Sequence, residues 1–142
     1  MRKIILPLVI CLLFISCSKD LEDRLTGDWK LEEVYKKAGL GSKEIITTGY
    51  ENGVLTMYAG GAAKFIKGLD TLSGLWRSDW ASNGTGESAQ TVKNLRISVA
   101  NFPQNKWLEW EFDNFDFRNN KQEIRAQDWS IGKDRFYEFR RQ

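Results

Sequence analysis

Histidine is missing from this 142-residue chain, and cysteine occurs only twice. The usual general base near neutral pH and the commonest metal ligand are therefore both absent. Both cysteines, Cys11 and Cys17, lie within or at the end of the apolar N-terminal stretch, so the chain beyond them has neither a thiol nucleophile nor a disulfide. A basic excess is also lacking. Removing residues 1–16 takes away two of the 21 basic residues and none of the 19 acidic ones, which leaves a formally neutral remainder with nothing to attract nucleic acid. No apolar run is long enough for a comfortable bilayer span, since the longest, Ile4 to Ile15, has only signal-peptide length.

Met1-Arg2-Lys3 supplies a positive start to that run, which ends at Phe14-Ile15-Ser16-Cys17. The ending resembles the lipobox of bacterial lipoproteins, although that family prefers Leu where this chain has Phe14. The resemblance implies a signal peptide over residues 1–16, diacylation of Cys17 and cleavage before it, with Cys17 as the lipidated first residue of the mature chain. Residues 17–24 then read as a charged tether, Ser18-Lys19-Asp20-Leu21-Glu22-Asp23. Each buried lipid CH₂ contributes roughly 0.8 kcal/mol, so several acyl chains anchor a protein without a spanning segment. Ser18 differs from the aspartate that retains such lipoproteins in the inner membrane. The expected location is therefore the outer membrane, facing either the periplasm or the outside.

Residues 25–142 are one domain's length and contain every aromatic residue except Phe14, ample material for a core. Period-two alternation places strands at 28–37, 54–59, 63–67, 74–81, 91–100, 106–117, 123–131 and 135–141, with 44–48 a short strand or ordered loop. Trp29, Leu31 and then Val34 or Tyr35 mark one face of the first. Gly60-Gly61, Pro103-Gln104-Asn105, Asn119-Asn120-Lys121 and Gly132-Lys133-Asp134 supply reversals. Ser82 to Ser88 reads as an exposed loop. Leu108, Trp110 and Phe112 share a phase that Phe115 and Phe117 break, which predicts a bulge near Asp113-Asn114. No helical stretch is expected after Cys17. Eight short strands joined by hairpins suit an all-β, antiparallel up-and-down barrel, which leaves no open sheet edge.

Leu25-Thr26-Gly27-Asp28-Trp29 carries the Gly-x-Trp signature, and Gly74-Leu75-Trp76 a similar second element. With the strand count, residues 25–142 resemble the lipocalin-like (calycin) lipoproteins of bacterial envelopes. The resemblance implies an eight-stranded barrel whose floor is closed by Gly27, Trp29 and a basic residue of the last strand, Arg140 or its neighbour Arg141. Any binding then belongs at the opposite, open mouth. The lipocalin disulfides and C-terminal helix are missing here, so the ligands of that wider family do not transfer.

A barrel of this size is either filled or holds one small ligand. Tyr58, Trp76, Trp80, Trp107, Trp110, Phe112 and Trp129 are the candidate cup wall, suited to a small apolar or amphipathic molecule or to a sugar stacked on rings. The competing expectation is a filled barrel whose loops bind an envelope protein or glycan. Glu109, Glu111, Asp113 and Asp116 form the one notable carboxylate cluster, but they alternate with apolar residues and read as the solvated face of a strand. Weak binding of a cation such as calcium is a lesser use open to them, and glycoside hydrolysis by a pair of them, an enzyme on the same scaffold, is the least expected. The expectation is a monomer with no enzymatic role and no cofactor or resident metal. Asp70-Thr71-Leu72 resembles a bacterial O-glycosylation site, and Asn83-Gly84-Thr85 has the N-glycosylation pattern.

Overall fold

The computed structural model describes residues 20–83, 90–128 and 134–142. The signal peptide, Cys17, the start of the tether, Trp129, most of the Ser82–Ser88 loop and the Gly132-Lys133 turn lie outside the described residues. What is described is almost entirely antiparallel sheet. Its ten strands are β1 (Gly27–Lys37), β2 (Lys43–Ile45), β3 (Val54–Met57), β4 (Ala62–Lys67), β5 (Asp70–Asn83), β6 (Gln90–Asn101), β7 (Lys106–Phe112), β8 (Asn114–Arg118), β9 (Glu123–Asp128) and β10 (Arg135–Arg141).

Hydrogen-bonded neighbours run β7-β6-β5-β4-β3-β1-β10-β9-β8, with β2 paired to the far end of β1. Ten strands replace the expected eight because β2 is separate and because the long aromatic strand divides at Asp113. The pairing order ends at β7 and β8, so the sheet does not close on itself by strand pairing. These two strands are nevertheless consecutive. The amide of Asp113 between them donates to the Gln127 carbonyl of β9 at 2.9 Å.

The phase change at Asp113 has the expected effect: Leu108, Trp110 and Phe112 are buried before it, and Phe115 after it. A second irregularity lies in β1. Its register with β10 shifts between Leu31 and Glu33, and the extra residue moves Val34 into the main core while Tyr35 is buried on the other face. There Tyr35 stacks on Phe136 with ring centroids 5.2 Å apart. Both residues that alternation left as alternatives are therefore buried, on opposite sides.

β5 begins at Asp70, four residues before the expected start. Gly68 (φ +59°) and Leu69 form a two-residue turn that pairs Lys67 with Asp70 at once. Thr71 accordingly stands exposed on a strand, and its carbonyl accepts from Asn101 Nδ2 at 3.0 Å.

The expectation of no helix after Cys17 is corrected by residues 20–25, a short helix. Leu21 and Leu25, one turn apart, are both buried in the core. Arg24 pairs with Asp20 along it, and Glu22 accepts a hydrogen bond from the Gly60 amide at 2.8 Å. The end of the supposed tether is thus packed against the sheet. Among the described residues no helix is long and apolar enough to cross a membrane.

The interior is filled with rings. Trp110 makes edge contacts with Phe65, Tyr50, Tyr137 and Phe139, centroids 5.6 to 6.0 Å apart. Such pairs contribute about 0.5–1.5 kcal/mol each beyond the area they bury. Strand direction gives the sheet two ends. The short helix, the start of β1 and the end of β10 share one end; the long 38–53 connection and the 68–69 and 102–105 turns share the other.

Candidate functional site

At the first end lies Trp29. It is fully buried, and its Nε1–H donates to the Leu25 carbonyl at 2.7 Å. The Arg141 guanidinium lies 4.4 Å from its ring centroid. The same guanidinium donates to the Thr26 and Arg24 carbonyls at 3.1 and 2.6 Å, so it ties the last strand to the end of the helix. Gly27 is required beside it, because φ is +132° and a β-carbon would stand 2.9 Å from Arg141 Nη1. Of the two arginines, Arg141 is the one that packs on Trp29. Arg140 points away and pairs with Glu32 at 3.1 Å and Glu123 at 3.3 Å.

The opposite end is a mouth with two cavities. One, of about 380 Å³, is bounded by Tyr50, Phe65, Lys67, Asp70, Asn105, Lys106 and Trp107. The other, of about 420 Å³, is bounded by Thr47, Thr48, Tyr50, Trp107, Asp128, Arg135 and Tyr137. Tyr50 and Trp107 line both. Within the long connection Glu51 closes a turn, accepting from the Thr48 amide at 2.6 Å, the Thr48 hydroxyl at 2.8 Å and the Gly49 amide at 3.0 Å, and Lys67 Nζ of β4 donates to the Gly49 carbonyl. Partial burial alone would raise the Glu51 pKa, but these donors together hold its carboxyl below the usual range. Burial pushes the Tyr137 phenol up, opposed by neighbouring Arg135. The Nε of Arg135 is buried and meets no acceptor among the described residues.

A third cavity, of about 430 Å³, lies on the β5-β6-β7 surface between Leu75, Arg77, Arg96, Ser98, Glu109 and Glu111. Arg96 and Glu111 form an ion pair beside it.

The structure distributes the candidate cup wall. Trp76, Trp110 and Phe112 are buried in the core, and Trp76 Nε1–H donates to the Tyr58 carbonyl at 2.9 Å. Tyr58, Trp80 and Trp107 are 46%, 49% and 68% exposed. Lys93 Nζ sits 5.4 Å from the Trp80 ring, away from the mouth. Trp107, Trp110 and Phe112 border the mouth cavities, and Trp129 is outside the described residues. Tyr50, Asn105, Arg135 and Tyr137 were not singled out in the sequence. Only the aromatic residue inside the polar Thr47–Asn52 stretch offered a signal for the first of them.

The carboxylate cluster does not converge. Glu111 pairs with Arg96, Asp116 with Arg125 at 3.4 Å, and Glu109 is exposed. Among the described residues no three carboxylate, cysteine or histidine groups are placed to hold a metal ion. Compared with protein-family models, with curated proteins and with solved structures, the chain shows no match, so its own geometry carries the functional reading.

Proposed function

We propose that this chain is a lipid-anchored, non-catalytic binding protein of the bacterial outer membrane, built on a lipocalin-like eight-stranded barrel. It takes a small amphipathic ligand at the mouth opposite Trp29. In this reading β7 and β8 are one strand bent at Asp113, its first half paired with β6 and its second with β9. That bend closes the barrel. Cys17 carries the lipid, the protein is monomeric, and neither nucleic acid nor a cofactor is involved.

The observation that supports the reading best is the pair of cavities sharing Tyr50 and Trp107 at one end, while the other end is sealed by Trp29, Arg141 and the short helix. Rings fill the space beneath the mouth, which favours a molecule with both polar and apolar faces over a wholly apolar one. Palmitate, haemin and short oligosaccharides, titrated separately against tryptophan emission, test this. At least one should give a saturable change, and flat emission throughout would overturn the reading. Cys17→Ser tests the anchor, since a variant that stays in the membrane fraction without acylation contradicts it.

A second reading, a filled barrel whose loops bind an envelope protein, is favoured by Leu40, Leu69 and Phe102. These are 109%, 101% and 87% exposed on turns at the mouth end. Leu69→Ser with Phe102→Ser should leave small-ligand binding unchanged if the first reading holds.

A further inference from the structure

We propose that the mouth binds a saccharide, with the indole of Trp107 as its stacking platform, an inference that rests on the mouth being the ligand site. Three features together select this class of ligand.

The first is an exposed flat apolar surface. Trp107 is 68% exposed at the start of β7, and it borders both mouth cavities. A large ring left in water beside a cleft suits a partner that presents an apolar face. The C–H face of a pyranose is such a surface.

The second is the mixture of polar groups around that ring. Asn105, in the β6–β7 turn, lines the same cavity as Trp107 and offers both a donor and an acceptor. Lys106 and Asp70, both lining the same cavity, form an ion pair, and the ammonium and carboxylate each keep further donor or acceptor positions. On the other side Thr47, Thr48 and Arg135 bring further polar groups to the second cavity. Hydroxyl groups, which donate and accept at once, satisfy such a lining.

The third is what the mouth does not provide. The two linings together carry three basic residues, Lys67, Lys106 and Arg135, and four acidic ones, Asp70, Glu109, Glu111 and Asp128. No basic excess is present to select an anion. An acyl chain needs a dry apolar tunnel, but Trp110, Phe65, Tyr137 and Phe139 occupy the space beneath the mouth in edge contact.

The test uses the full-length protein in a detergent without a sugar headgroup, titrated calorimetrically with oligosaccharides of glucan, mannan, xylan and chitin and, separately, with palmitate. At least one oligosaccharide series should bind. Trp107→Ala should weaken that binding on the order of tenfold or more with an unchanged thermal midpoint, and Trp107→Phe should restore most of it. Equal affinity in Trp107→Ala, or no binding across the oligosaccharide panel, overturns the proposal. Binding of palmitate alone overturns the saccharide and keeps the mouth as a ligand site, whereas binding of neither overturns both.

Discussion

Replacing Arg141 with alanine separates the closing arginine from its neighbour. The Arg141 guanidinium makes two hydrogen bonds to part-buried carbonyls, Thr26 and Arg24, and covers the face of the fully buried Trp29. Hydrogen bonds to a charged group contribute about 1.5–3 kcal/mol each in net terms, and a desolvated cation over an indole adds about 1–2 kcal/mol. These contributions share one side chain and are not additive, so the expected loss is about 3 kcal/mol. Arg141→Lys keeps the charge but cannot reach both carbonyls, and should recover less than half. Arg140→Ala removes ion pairs whose arginine is 54% exposed, and screening limits its effect to below about 1 kcal/mol. Urea unfolding of the three variants reads these differences. With a slope of about 1–2 kcal/mol per molar, Arg141→Ala should lower the midpoint by roughly 2 M. Amide exchange at residues 21–26 should accelerate in that variant alone. If Arg141→Ala unfolds within about 0.5 kcal/mol of the parent, or Arg140→Ala costs as much, the assignment of Arg141 as the residue that holds this end together is wrong.

Three further outcomes follow from the same geometry. Gly74→Ala should prevent stable folding or cost about 3 kcal/mol or more, because its β-carbon would collide with the Ser98 carbonyl oxygen and the Val99 backbone, which cannot turn aside as a side chain can; thermal unfolding checks it. Glu51 has a depressed pKa, so its contribution is present above the ordinary carboxylate value of about 4.3 and is lost as pH falls through its lower folded value. The protection of the Thr48 and Gly49 amides, relative to free-peptide exchange at the same pH, should therefore fall on acidification and, at neutral pH, in Glu51→Gln. Tyr35 is also shifted, raised by burial and then by Glu138. Its phenol supports the fold below about pH 10 and withdraws that support as pH rises through its folded value. Tyr35→Phe should flatten the alkaline loss of stability measured by urea unfolding.

Much of the fold was legible because alternation survives wherever one face of a strand is buried. β10 lies at the expected residues 135–141, and the break at Asp113 follows from the change of phase between Phe112 and Phe115. The helix at residues 20–25 was not legible, since it is little more than one turn and shows only the single Leu21–Leu25 spacing. The bulge between Leu31 and Glu33 was hidden too, because an inserted residue leaves both Val34 and Tyr35 looking plausible for one face. The tryptophans resisted assignment for a related reason. Trp80 has the phase of Trp76, yet β4 accompanies β5 only as far as Leu75 and β7 accompanies β6 only from Leu95. Trp80 therefore projects past the packed interior and remains half exposed. At the mouth, Tyr50 and Trp107 are brought together from positions far apart in the chain, a proximity that periodicity cannot express.

The most direct test of the account is a heteronuclear NMR titration of the protein with the oligosaccharide and palmitate panel, followed residue by residue. The predicted result is a saturable change confined to residues 47–50, 67–70, 105–108 and 135–137, with Trp29 and Arg141 unmoved. Changes centred on Trp29, or on the Leu75-Arg77-Arg96 surface while the mouth stays silent, would contradict it.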